Sequence, residues 1–148
     1  MSNSSLLSRK FRSICLFGNP IFNWDEFVSP STLHLTPFVK LILEPFSADH
    51  KFSLIELGLH EALVNAVRHG NLYDSNKVLR VRRVVTPNWL VLQIQDEGNG
   101  VPLNSRISSL PISLDAETGR GLFLIHECFD DVRWSRKGNR LQLSSRIK

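Results

Sequence analysis

Cysteine is scarce in this 148-residue chain: only Cys15 and Cys128 occur, one near each end. Two thiols so placed make neither a disulfide framework nor the paired spacing of a zinc site. The chain therefore reads as intracellular and reduced, with a cytoplasmic location expected. No apolar run approaches the roughly 18–20 residues of a membrane span, so no membrane partner is expected. An acidic excess is also missing, since 18 lysines and arginines face 14 aspartates and glutamates for a net charge of +4. That surplus is too small to argue for direct binding of nucleic acid. With 42% hydrophobic and 22% charged residues, the composition excludes disordered, collagenous and fibrous chains.

What is present fits one domain with a sizeable core. Residues 1–23 read as a disordered or loosely docked N-terminal extension, and residues 24–148 as the domain. Trp24 to Val28 reads as a short strand. A helix carrying Leu35, Phe38, Val39, Leu41 and Ile42 follows, with Ser31 or Thr32 as its cap and Pro45 at its end. The most periodic segment is Leu54 to Gly70, where Ile55, Leu59, Ala62, Leu63, Ala66 and Val67 share one face. Gly70 is placed there as a C-cap. Val78–Thr86 and Trp89–Gln95 alternate as strands around Pro87-Asn88, and Val132–Ser135 with Leu141–Ile147 form a closing hairpin. Between them lie a long aperiodic loop from Asp96 to Thr118 and a helix from Gly119 to Phe129. This order predicts an α+β fold, a two-layer α/β sandwich whose mixed, mostly antiparallel sheet carries helices on one face.

Three places hold residues suited to chemistry. On the Leu54–Gly70 helix, Glu61, Asn65 and Arg68 fall within about 60° of one another, a polar stripe that is either solvated or a site. A carboxylate there can orient or deprotonate a hydroxyl, and an amide oxygen one turn away can ligate a hard cation. His60-Glu61 lacks the second histidine of a zinc-protease helix, because that position holds Val64. His69, beside Gly70, is as suited to a cap as to catalysis. Asp96-Glu97-Gly98-Asn99-Gly100 follows a strand and, alone, reads as a turn. Thr118-Gly119-Arg120-Gly121 opens a helix, whose free N–H groups suit a phosphate or simply close packing.

Taken in order, Glu61-x-x-x-Asn65-Ala66-x-x-His69-Gly70-Asn71, Asp96-Glu97-Gly98-Asn99-Gly100-Val101 and Thr118-Gly119-Arg120-Gly121-Leu122 resemble the N, G1 and G2 boxes of the Bergerat-fold ATPases, the gyrase, histidine-kinase and MutL-like group. The finer resemblance is to the bacterial anti-sigma-factor serine kinases, over roughly residues 24–148. It implies a histidine-kinase-like ATPase fold with ATP and Mg²⁺ as cofactors. Glu61 corresponds to the catalytic base, and Asn65 to the metal ligand at the ATP phosphates. Asp96 corresponds to the group that holds the adenine amino group, and Gly98 and Gly100 let the backbone approach the base. Arg68 and His69, with Thr118, Gly119, Arg120, Gly121 and Leu122, complete the cofactor-binding set, and Val101–Thr118 would be the ATP lid. The chain departs from the family at Gly138-Asn139, where Gly-Thr is usual.

The activity so implied is an ATP-dependent protein serine/threonine kinase acting as an anti-sigma factor in a partner-switching pathway. Its partners would be an anti-sigma factor antagonist, which it phosphorylates, and a sigma factor or related target, with a homodimer possible by analogy. The alternative is a nucleotide-binding or degenerate module that sequesters a regulatory partner without kinase activity. The catalytic module of a histidine kinase is a further reading, although no dimerisation helix pair accompanies it.

Overall fold

A computed structural model describes residues 8–16, 19–46, 50–106 and 120–148. Among them six strands form one sheet: β1 (Ser8–Leu16), β2 (Asn19–Pro30), β3 (Val78–Val85), β4 (Trp89–Gln95), β5 (Asp131–Trp134) and β6 (Arg140–Arg146), in the order β1-β2-β3-β4-β6-β5. Each pairing is antiparallel, so the sheet is not mixed. The expected hairpins are present. Thr86 closes the β3–β4 turn, its Oγ1 accepting the Trp89 N–H at 2.9 Å while its own N–H reaches the Trp89 carbonyl at 2.8 Å.

The N-terminal reading needs correction. Ser8–Leu16, expected in a loose extension, pairs along β2, and β2 itself begins at Asn19 rather than near Trp24. The Arg9, Lys10 and Arg12 cluster hid this strand. Charge is compatible with a strand at a sheet edge, where it also discourages pairing with other chains.

Three α-helices are described: α1 (Thr36–Leu43), α2 (His50–Asn65) and α3 (Arg120–Cys128). The first starts later than expected, at a Leu35 N-cap with no side-chain hydrogen bond, and Pro37 takes a first-turn position where no N–H is needed. The second starts earlier, its first turn fixed by Phe52 stacked on Phe46 with ring centroids 4.6 Å apart. It ends in a π turn, Ala66–Gly70, in which the Asn71 N–H bonds to the Ala66 carbonyl at 2.8 Å.

The periodic face of α2 is buried as expected: Ile55, Leu59, Ala62, Leu63 and Val67 are at most 2% exposed. They join Leu79, Val81, Leu90, Leu92, Ile94, Leu141 and Leu143 of the sheet in one core cluster. The alternation of β3 sets Arg83 on this inner side, buried. Its guanidinium bonds to the Ile42 carbonyl at the end of α1 and to Asp25 of β2, and it stacks over the Phe27 ring. A charge so enclosed requires such partners, and this one ties the first helix to the sheet.

Candidate functional site

The C-terminal half of α2, the ends of β4 and β6, the loop after β4 and the start of α3 enclose a cavity of about 460 Å³. Its floor is apolar, formed by Ile94 and Leu141 of the sheet, Leu122 and Ile125 of α3, and Trp134. Polar groups stand around that floor, the usual make-up of a small-molecule site. Glu61, Asn65, Arg68, His69, Asp96, Gly100, Gly121 and Leu122 all line it. Segments distant in sequence therefore converge on one space, and the polar stripe of α2 faces a cleft. Gly98 lies behind the wall rather than on it, and Arg120 is exposed at the first position of α3. Thr118 and Gly119 lie outside the described residues, as does most of the Val101–Thr118 loop.

Asp96 ends up at the bottom of this wall because β4 delivers it there and glycines make room. It is 8% exposed, and burial pushes its carboxyl above the usual value of 3.8, against the opposing pull of the Gly98 N–H, Lys137 and Lys77. The Gly98 N–H reaches Oδ1 at 2.8 Å. Gly70 is not a left-handed C-cap. It sits inside the π turn, where any side chain would collide with the Asp96 carboxyl, and Gly98 in turn packs on the Gly70 carbonyl. Both glycines are close-approach positions. Asn139 holds the strand end: its carbonyl accepts the Asp96 N–H at 3.1 Å, and its Nδ2 lies 3.4 Å from the Asp96 carbonyl.

Across the cavity, Glu61 and Asn65 lie one turn apart on α2, against the first turn of α3. A side chain at Gly121 would collide with Glu61 Oε1 and come within 3.1 Å of Asn65 Nδ2. This glycine in the first turn of α3 thus lets a helix N-terminus, with its free N–H groups, approach a carboxylate and an amide.

The sequence named Asn71 in a motif without giving it a task. It is fully buried: Nδ2 donates to Ser31 Oγ at 3.0 Å and to the Val78 carbonyl at 3.1 Å, and Oδ1 accepts the Glu97 N–H at 2.8 Å. The side chain therefore sets the turn that carries Asp96. Next to it, Leu72 and Tyr73 adopt φ of 54° and 59° and are exposed, with the Tyr73 hydroxyl accepting from Arg68 Nε at 2.8 Å. Such backbone conformations are uncommon for bulky residues. Nothing in the sequence marks them.

An antiparallel sheet backed by helices, with a cavity between a buried aspartate at one strand end and a glutamate and asparagine on a helix, defines the class of the histidine-kinase-like ATPases. The chain belongs to that family: residues 46–145 match the model of the histidine kinase-like ATPase domain. No curated protein is a significant match to it. Membership implies that the domain binds ATP. Among the described residues no helix is long and apolar enough to cross a membrane, and no cluster of histidine, cysteine, aspartate and glutamate side chains is suited to a metal ion by itself.

Proposed function

We propose that this ATPase domain is a protein serine/threonine kinase acting as an anti-sigma factor in a partner-switching pathway. The observation that carries the reading is Glu61 and Asn65 of α2 packed against the start of α3, in one cavity with Asp96. Asp96, with acceptor oxygens in a low-polarity wall, suits an exocyclic amino group. The apolar floor of Ile94, Leu141 and Trp134 suits a flat base. The N–H groups at the α3 start and the exposed Arg68 meet negative charge.

Asn65 presents the one amide oxygen of the polar pair, which fits a Mg²⁺ ion held mainly by phosphate and water rather than by a protein cage. When bound, Mg-ATP supplies the phosphoryl group and the charge neutralisation that such transfer requires. Glu61 then serves as the base that takes the proton from a serine or threonine hydroxyl of the partner. An anti-sigma factor antagonist is the proposed phosphoryl acceptor, and a sigma factor or related target the competing partner. One observation favours a second reading, a module that binds its partner without transfer: Asn139 turns its amide to the Asp96 main chain, where the family usually offers a threonine.

Thermal unfolding with and without saturating Mg-ATP tests the site, on wild type, Asp96→Asn and Asn65→Ala. At about 100 times the dissociation constant the ligand adds roughly 2.7 kcal/mol, a shift of several degrees at about 2–4 °C per kcal/mol. Wild type is expected to shift and both variants to lose most of the shift. Phosphoryl transfer to an antagonist protein should then vanish in Glu61→Ala while ATP binding persists. A wild type without a thermal shift makes the domain a scaffold instead.

A further inference from the structure

We infer that Arg106 is a positioning residue for nucleotide binding, which clamps the wall of the cavity to the β5–β6 turn without itself touching the cavity. Gly100, Val101, Pro102 and Ser105 line the cavity; Arg106 does not. Its guanidinium donates to main-chain carbonyls of two segments: Nε to Val101 at 2.8 Å, Nη1 to Ser135 at 3.1 Å and Nη2 to Arg136 at 3.2 Å. The first carbonyl belongs to the cavity wall and the others to the turn. A planar fork of donors serves such a set, whereas an ammonium group on a flexible stem does not.

The backbone is shaped to receive this clamp. Val101 donates its N–H to the Gly138 carbonyl at 3.0 Å. Gly100 and Gly138 both take positive φ, 92° and 83°. A side chain on Gly100 would collide with the Lys137 carbonyl, and one on Gly138 with the Arg106 guanidinium and the Val101 carbonyl. These contacts converge on one seam. The same turn continues into Asn139, whose carbonyl holds the Asp96 N–H, so Arg106 fixes the wall relative to the aspartate at its base. None of the ion pairs among the described residues involves it; its role is directional bonding to carbonyls.

The inference rests on the nucleotide reading of the cavity, and calorimetric titration with Mg-ATP at two ionic strengths separates the two. Arg106→Ala is expected to weaken binding about tenfold or more, by the same factor at low and high salt. Arg106→Lys should recover only part of the loss. Arg106 is half-buried at the surface, so the folded state should survive, which circular dichroism checks; if alanine unfolds the chain, the partial loss in lysine carries the test. Wild-type affinity in Arg106→Ala overturns the inference. So does full recovery by lysine, or a loss that shrinks as salt rises, either of which marks a cation acting on phosphate. A wild type that binds no Mg-ATP removes the nucleotide reading and this inference together, whereas binding that Arg106→Ala leaves unchanged removes only the latter.

Discussion

Asp96 holds a carboxylate where the fold leaves it little water. Its folded pKa is raised by burial above the value of 3.8 it has when solvated, so the folded chain keeps that proton longer than the unfolded one. The protonated group contributes stability that is fully present below the unfolded pKa and is lost as pH rises through the folded value. Near neutrality, therefore, the ionised aspartate works against the fold. Asp96→Asn keeps an acceptor for the Gly98 N–H and removes the titration. Without nucleotide, this variant is expected to melt at or above the wild-type temperature near pH 7. The difference should narrow toward about pH 4, as calorimetry across that range would show; a wild type that gains on the variant as pH rises contradicts the assignment. At this scale the sequence was informative where spacing sufficed: Glu61 and Asn65 share a helix face by arithmetic. It was silent where the partner lies far along the chain. The reason for a glycine at Gly70 is the Asp96 carboxyl, which no local pattern displays.

Helices α2 and α3 cross at Gly58, where an added methyl group would stand 2.6 Å from Cys128 Cβ and 2.7 Å from Phe129 Cε2. Those neighbours are buried in the core and have little room to give. Gly58→Ala, which would favour an isolated helix, is expected to destabilise the domain by about 1–3 kcal/mol, read as a lower urea midpoint at unchanged slope. An unchanged or higher midpoint would mean that the helices separate freely. The same packing pushes the Cys128 thiol up through burial, aided by the Glu127 charge and opposed by a bond with the Gly58 main chain. Most elements were legible because their hydrophobic period matched their final surroundings. The π turn was not, since one wide turn leaves the apolar pattern of α2 almost intact. Nor was β1, whose charges resemble those of a solvated tail until a neighbouring strand pairs with it.

The molecule as a whole is joined at Asn71, where the end of α2, the residue after β2, the first residue of β3 and the turn after β4 meet one carboxamide. Asn71→Ala leaves buried groups without that partner, at about 1–3 kcal/mol for each. The expected outcome is a lower melting temperature together with weaker Mg-ATP binding, because the Glu97 N–H beside Asp96 loses its anchor; wild-type stability in this variant would show the junction to be redundant. The sequence displayed the sandwich and the three boxes, but not this junction, which exists only once four segments are assembled. A last consequence concerns light. Of the three tryptophans, Trp134 lines the cavity, whereas strand alternation sets Trp24 and Trp89 on the opposite face of the sheet. The chain therefore contains an intrinsic fluorophore in the floor of its cavity and two more with the sheet between them and it, so that a ligand entering that cavity is expected to change emission without a label.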